Sequence, residues 1–397
     1  MQLITALFQG EVIHWRNEMA KIKGKPAADG KIRCIVWGCG QVGRDIIKTI
    51  SPGRTYMRIV GAVDTDPKKT GKLISDLYPE EGNNIDIPIS SSFEDCLKRL
   101  NEPVEVVFHQ TESHLDVIGP ELEEAMKAGI NVVAASEVMH YPTIRHPEAA
   151  ASLDKVAEEN GVTITGAGVN PGFIFDSWVV GMAKMAADLG HVQVIRSMNP
   201  SGMGPGDNAH VGMGLEVDEF HRQVEKGIVQ GHLGFLESLP AVAERLGINI
   251  DRVEESWTPI TEDHDVDSGG PVGMLKAGTV CGCTQEARGM DGDVERISFK
   301  ILMYYEPERY GYEIADEVIL DGVMPVHAKI KPGLKSKLGS AAGQICAAGD
   351  IINAPPGLRS VLDDPYGGPK RGGDFRYITD PDNPPKPGLM KLIKQPA

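Results

Sequence analysis

A glycine spacing constrains this chain more than any other feature. Ile32-Arg-Cys-Ile-Val-Trp37 is a nearly continuous apolar run, followed at once by Gly38-Cys-Gly40-Gln41-Val42-Gly43 and by a stretch with helical spacing. A short apolar run stopped by glycine reads as a buried strand. In a strand–turn–helix context each glycine of G-x-G-x-x-G has a separate job: Gly38 makes the tight turn, Gly40 lets backbone approach a pyrophosphate, and Gly43 lets helix and strand pack closely. Gln41 and Val42 then open the helix, whose free N–H groups and dipole favour anionic phosphates. The expected ligand is a dinucleotide, NADP or NAD. Asp64 closes the next apolar run, 21 residues after Gly43, where an acid hydrogen-bonds the adenosine ribose. Asp64 favours the free 2′-hydroxyl of NAD, whereas Lys68 and Lys69 supply charge for the 2′-phosphate of NADP, so both cofactors stay open.

Beyond the glycine turn the pattern alternates. Strands are predicted at 32–37, 57–64, 104–108, 131–135 and 162–165, with helices at about 42–51, 92–100, 117–128 and 146–159. Strands alternating with helices predict an α/β fold with a doubly wound parallel sheet. After Thr165 the texture changes to a helical stretch reaching about 187, then strands at 192–198, 272–285 and 297–305, with helices at about 216–226 and 236–246. This predicts a second, α+β domain. The expected division is an N-terminal extension over 1–30, a cofactor domain over 31–168 and a substrate domain over 169–335. A helix over 336–362 follows, then a Pro/Gly-rich tail over 363–397.

In such a sheet ligands lie at the carboxyl ends of the strands, so the loops after each strand are the candidate site. They contain His109-Gln-Thr111-Glu112, Ser136-Glu137-Val-Met-His140 and Gly166-Ala-Gly168-Val-Asn170-Pro171-Gly172-Phe173. Glu137 directly follows an apolar strand, and burial there favours proton transfer by raising a carboxyl pKa; a structural carboxylate capping the following turn is the competing reading. His109 and His140 are likewise either structural or functional. Asn170-Pro171-Gly172 opens a helix whose N–H groups face a substrate oxygen, or serves as a hinge.

Composition narrows the class. With 40 Lys and Arg against 56 Asp and Glu the chain carries −16, which argues against gripping nucleic acid. No run approaches the length of a membrane span. Six scattered cysteines form no disulfide framework and no zinc pattern, and a reducing, cytoplasmic setting is expected. Cys281 and Cys283, two apart on one strand, are expected to share a face. The eleven histidines show no metal spacing, and no metal is expected.

Several blocks in order carry a resemblance: Trp37-Gly-Cys-Gly-Gln-Val-Gly43, Asn131-Val-Val-Ala-Ala-Ser-Glu137, Tyr141-Pro-Thr-Ile-Arg-His-Pro147, Gly166-Ala-Gly-Val-Asn-Pro-Gly-Phe173, Gly231-His232-Leu-Gly-Phe-Leu-Glu-Ser238 and Asn353-Ala-Pro-Pro-Gly-Leu358. From about 32 to 360 the chain resembles the 2,4-diaminopentanoate dehydrogenases and the native amine dehydrogenases. The resemblance implies a Rossmann domain, a sheet-bearing substrate domain that also makes a homodimer, and a late helix returning to the first domain, as in dihydrodipicolinate reductase. It further implies NAD(P)H-dependent reductive amination of small aldehydes or ketones with ammonia, reversible to amine deamination. Glu137 matches the family's catalytic glutamate, which would take a proton from ammonium, return it to the departing hydroxyl and stabilise the iminium. Asn353 is expected near the nicotinamide with His109 and Thr111; His140, Asn170, Pro171, Gly172, Phe173 and His232 are expected around the substrate. No Arg fork accompanies Glu137, Arg145 being the nearest cation in sequence. The alternatives are an ammonia-independent imine or carbonyl reductase of the dihydrodipicolinate reductase type, a 2,4-diaminopentanoate dehydrogenase proper, or a cofactor-binding sensor without catalysis.

Overall fold

The computed structural model describes residues 29–51, 56–79, 85–202, 205–305 and 307–363. The expected N-terminal extension, apart from its last two residues, and the tail after Asp363 lie outside these. The first sheet is built from β1 (Ile32–Trp37), β2 (Met57–Val63), β3 (Ile89–Ser90), β4 (Val106–His109), β5 (Asn131–Ala134) and β6 (Thr163–Gly166). These are short runs rich in β-branched residues; β1 and β4 are buried at every position. Such double-sided burial belongs to parallel strands covered by helices on both faces. The helix Gln41–Ile50 buries Gly43, Ile46, Ile47 and Ile50, and Leu115–Lys127 buries Ile118, Leu122 and Met126. Ser92 caps Phe93–Arg99 by accepting the Asp95 N–H at 3.1 Å.

The second sheet contains β7 (His191–Met198), β8 (Arg252–Thr261), β11 (Val280–Asp291), β12 (Val294–Tyr304), β13 (Ala315–Asp321) and β14 (Val326–Ile330), in the order β14-β13-β7-β12-β11-β8. β7 and β12 run parallel and the other neighbours antiparallel. The short strands β9 (Val266–Asp267) and β10 (Met274–Leu275) pair separately. On one face Phe299 meets Phe175 at 5.1 Å and Phe235 at 5.9 Å, centring a core closed by the helices Trp178–Ala183 and Phe235–Leu246. The single strand expected over 272–285 is therefore two elements, and the helical stretch expected to 187 ends at Ala183.

The cysteine pair departs from expectation. A bulge between Val280 and Gly282 inserts one extra residue against β8, which breaks the two-residue alternation. Cys281 joins Leu302 and Tyr304 in a small separate cluster, while Cys283 joins Phe299 in the main core. The two thiols do not share a face.

The chain then returns. The helix Ser336–Ile351 packs against Gln41–Ile50 through Ala341, Ile345 and Ala348, small residues that permit close approach. β15 (Gly357–Ser360) adds to β6 in parallel, giving the order β15-β6-β5-β4-β1-β2-β3. Strand order reverses between β1 and β4, which opens the crevice where doubly wound sheets bind ligands. A buried ion pair fixes the returning segment: Arg196 on β7 donates to Asp316 on β13 at 3.1 Å and to the Leu334 carbonyl at 2.7 Å, and Asp316 accepts the Leu334 N–H at 2.7 Å. No helix among the described residues is long and apolar enough to cross a membrane.

Candidate active site

The glycine turn divides its labour between packing and an open approach. A Cβ on Gly38, whose φ is +96°, would lie 2.5 Å from the Gln110 carbonyl oxygen, and one on Gly43 would lie 1.9 Å from the Gly38 carbonyl oxygen. A Cβ on Gly40 would meet nothing within 4 Å. Gly40 is the N-cap of Gln41–Ile50, and no side chain caps that helix. The turn thus offers unfilled space and uncapped N–H donors at a positive helix end, which fits a pyrophosphate.

Asp64 follows β2 beside this turn. Its Oδ2 accepts the Cys39 N–H at 2.8 Å and the Lys69 ammonium at 2.8 Å, and its Oδ1 accepts the Asp66 N–H at 2.8 Å. Burial opposes ionisation, but these donors, Lys69 first, hold the carboxyl below its ordinary value. Lys69 is therefore already paired with Asp64, the acid expected to read the ribose. The late helix closes the turn from above: Gln344 accepts from Gln110, and Lys337 donates to Gln41.

At the carboxyl ends of β5 and β6 lies a cavity of about 90 Å³, bounded by Val42, Glu137, His140, Asn170, Ser340 and Gln344 among others. Ser136 donates to the Ser113 carbonyl at 2.6 Å, which anchors the start of the one-turn 3-10 helix Glu137–His140. Glu137 Oε2 and Asn170 Oδ1 are buried there without a hydrogen-bond partner. Unpaired buried polar atoms are costly unless a ligand or water completes them. His140 lies one turn on from Glu137, its Nε2 2.9 Å from Asp176 Oδ1, with both side chains at most 1% exposed. This close contact is not aligned as a hydrogen bond, and neither His140 nitrogen has one. Asp176 Oδ2 accepts the Gly172 N–H at 2.6 Å. Burial raises the Asp176 pKa, but His140 and that N–H outweigh it and keep the carboxyl below its ordinary value.

His232 stands on the second-domain side. Its backbone N–H and carbonyl are both held by Gln285, at 2.6 and 3.0 Å, and its ring meets Phe235 at 5.2 Å. Burial, helped by the positive charge of Arg196, pushes its pKa down to about 3, so the imidazole is neutral. Arg145 donates to the fully buried Glu237 at 3.0 Å.

The model of the 2,4-diaminopentanoate dehydrogenase C-terminal domain matches residues 173–373. A 2,4-diaminopentanoate dehydrogenase from Acetoanaerobium sticklandii is 30% identical over 351 residues, which is 88% of this chain and 97% of that protein. The chain belongs to the 2,4-diaminopentanoate dehydrogenase family. A solved amine dehydrogenase from Mycobacterium smegmatis shares the fold, with a TM-score of 0.69 at 23% identity over 87% of this chain and 97% of its own.

Within this family framework the expected residues separate into two groups. Val42, Glu137, His140, Asn170 and Pro171 line the cavity, and Gly38, Gly40, Gln41, Gly43 and Asp64 surround the glycine turn beside it. Gly172 supports the cavity through its backbone: its φ is +127°, and a Cβ there would lie 2.5 Å from the Gly168 carbonyl oxygen. Phe173 does not line the cavity; it is 37% exposed and stacks on Trp178 at 6.1 Å. His109 is fully buried and, with Thr111, is bonded to Glu121 at 2.7 and 2.8 Å, so neither side chain joins the cavity lining. Asn353 departs furthest. It donates to the Gly349 carbonyl at 3.3 Å, closing the late helix, and the next residues, Ala354 and Pro355, lie against Thr163 at the amino end of β6. That is the opposite edge of the sheet from the nicotinamide expectation.

Three residues at the site carry no motif in the sequence. Asp176 lies behind the cavity, against the lining residue His140; it is the one acid in the apolar stretch Phe173-Ile-Phe-Asp-Ser-Trp-Val-Val180, and that isolation is its sequence signal. Ser340 and Gln344, one helical turn apart in an Ala/Gly-rich helix, line the cavity from the far end of the chain.

Proposed function

We propose that this chain is an NAD(P)-dependent amine dehydrogenase that catalyses reversible reductive amination of small aldehydes or ketones with ammonia, with Glu137 as the catalytic carboxylate. Family membership supports the coarser part, an oxidoreductase acting on CH–NH2 groups with NAD or NADP. The observation carrying the finer part is the buried, unpartnered Oε2 of Glu137 in a cavity beside the glycine turn. A carboxylate held there without a partner suits a cationic nitrogen. Gly38, Gly40 and Gly43 with the helix start would hold the pyrophosphate, Asp64 and Lys69 the adenosine ribose. When bound, the dinucleotide supplies or accepts hydride. Glu137 takes a proton as ammonia adds to the carbonyl, returns it to the former carbonyl oxygen, and as a carboxylate again stabilises the iminium. The small cavity and the engagement of Arg145 by Glu237 favour short, uncharged carbonyls over α-keto acids.

The test is a panel of short aldehydes and ketones with ammonium, each run with NADH and NADPH. Cofactor oxidation that requires ammonia is the expected result; turnover independent of ammonia would favour an imine or carbonyl reductase. The family match also supports a second reading, oxidation of 2,4-diaminopentanoate itself, so that amine belongs in the reverse panel. We further infer a homodimer, supported by a second sheet whose helices cover one face and leave Gln193, Ile195, Lys300 and Ile319 half-buried on the other. Light scattering of the purified chain tests it. Six free cysteines support a reducing, cytoplasmic setting.

A further inference from the structure

We propose that His140 is a second catalytic group, the proton donor to the departing hydroxyl, and that Asp176 is its positioning residue. This rests on the reductive-amination reading above. Four observations carry it. His140 lines the same cavity as Glu137. Its Nε2 is 2.9 Å from Asp176 Oδ1, which leaves Nδ1 as the ring nitrogen for a ligand, and Nδ1 is buried with no partner. Asp176 is completely buried, where a carboxylate without a cationic or hydrogen-bonding partner is strongly disfavoured. Its second oxygen is fixed by the Gly172 N–H in the turn that shapes the cavity floor. A base or acid oriented by a buried carboxylate is a recurring device for holding one tautomer and stabilising the protonated ring.

Proton balance gives the second group its task. A carbonyl and neutral ammonia yield an iminium cation and water only if one proton enters. The ammonia lone pair forms the C–N bond while the carbonyl π pair moves onto oxygen. Glu137 takes one N–H proton and returns it to that oxygen, giving a carbinolamine and a carboxylate again. The C–O bond then breaks with its pair on oxygen, which takes the His140 Nδ1 proton and leaves as water, and the nitrogen lone pair closes the C=N bond. His140 is left neutral, its Nε2–H toward Asp176, and a proton taken up from solvent or from ammonium restores the imidazolium. Glu137 is thereby ionised at the moment the cation forms. In the reverse direction neutral His140 takes a proton from the attacking water.

The groups facing His140 set what its titration reports. Glu137 stands on its own turn and Asp176 on the segment Phe173–Ser177. His232, neutral, lies on the second-domain side and feels the charges of both Arg196 and Asp176. Among the described residues Asp176 is the carboxylate from another element that lies against the ring.

The experiment compares the wild-type chain with His140→Gln and Asp176→Asn. It uses the fastest carbonyl of the panel with ammonium chloride, and pH profiles are corrected for free ammonia. NADPH binding is read by fluorescence. The expected result for His140→Gln is a roughly 100-fold fall in kcat, with NADPH affinity within about twofold and loss of the alkaline limb. Asp176→Asn should keep that limb but move it to lower pH, because the imidazolium has lost its counter-charge; a purely structural role would lower the amplitude without moving the limb. If His140→Gln fails to bind NADPH, the limb position in Asp176→Asn decides. A His140→Gln enzyme with an unshifted limb and near wild-type kcat overturns the role of His140 alone. A wild-type chain that turns over no carbonyl with ammonia overturns the activity and this role together.

Discussion

Two alanine substitutions three residues apart in sequence, at Gly40 and Gly43, separate cofactor binding from packing at the glycine turn. Gly43→Ala puts a Cβ 1.9 Å from the Gly38 carbonyl oxygen and 3.3 Å from a Val36 methyl. The first neighbour is backbone and cannot rotate aside, so helix and turn must move by more than an ångström. Overpacking of this kind costs about 1–3 kcal/mol, on the order of 5 °C in Tm for a domain of this size. Gly40→Ala meets nothing within 4 Å and starts from φ −81°, which alanine adopts; its Tm should match wild type. The methyl instead occupies the open approach to the helix start. Losing one N–H to phosphate hydrogen bond costs about 1.5–3 kcal/mol, or roughly 10- to 150-fold in Kd. The assays are thermal unfolding without cofactor and NADPH titration by fluorescence. Wild-type NADPH affinity in Gly40→Ala would refute the assignment of this turn as the phosphate cradle, whatever the activity.

Other outcomes follow from single contacts. Glu137→Gln should lower kcat by about 10²- to 10⁴-fold while NADPH still binds; near wild-type turnover would remove Glu137 from the chemistry. Lys69→Ala should weaken NADPH by about tenfold and leave NADH no weaker, because the lysine bonded to Asp64 is a cation placed for a 2′-phosphate; equal losses for both cofactors would contradict this. Burial pushes the thiols of Cys39 and Cys283 up to about 12 and that of Cys96 up to about 11, so iodoacetamide at pH 8 should label the half-buried Cys346 and spare these three in the native protein. Asp64 and Asp176 have folded pKa values below the ordinary 3.8. Their stabilisation is therefore complete above that pH and lost as pH falls through the lowered values; Asp176→Asn should flatten the loss of urea resistance on acidification below pH 4.

The cofactor half was legible because its signals are local. β1, β2, β4, β5 and β6 are short β-branched runs punctuated by glycine, and each helix between them shows its buried face at three- and four-residue spacing. The second sheet was half hidden. β8 reads Arg-Val-Glu-Glu-Ser-Trp-Thr, an edge strand with half-exposed charges, and its polar surface masks its period. β15 follows Pro355-Pro356, which mark a turn, yet the strand begins directly after them. Asn353 was misplaced for the same reason: near a proline pair its physical role is to close a helix. The partnership of His140 with Asp176 spans thirty-six positions of chain, and only the fold brings the two together. The place of Glu137 in the cavity lining was legible because residues that follow strand ends face the crevice of a doubly wound sheet.

The returning segment has a consequence for the order of events during synthesis. β15 completes the edge of the first sheet, and Ser340 and Gln344 complete the cavity, yet all three lie beyond residue 335. The Arg196–Asp316 pair that anchors this segment belongs to the second sheet. A ribosome that has released the first 170 residues has delivered the glycine turn and Glu137 but not the surfaces that close over them. The site is thus finished last, after the second sheet exists to receive the returning strand, and a truncated product carries an open, incomplete crevice rather than a working half.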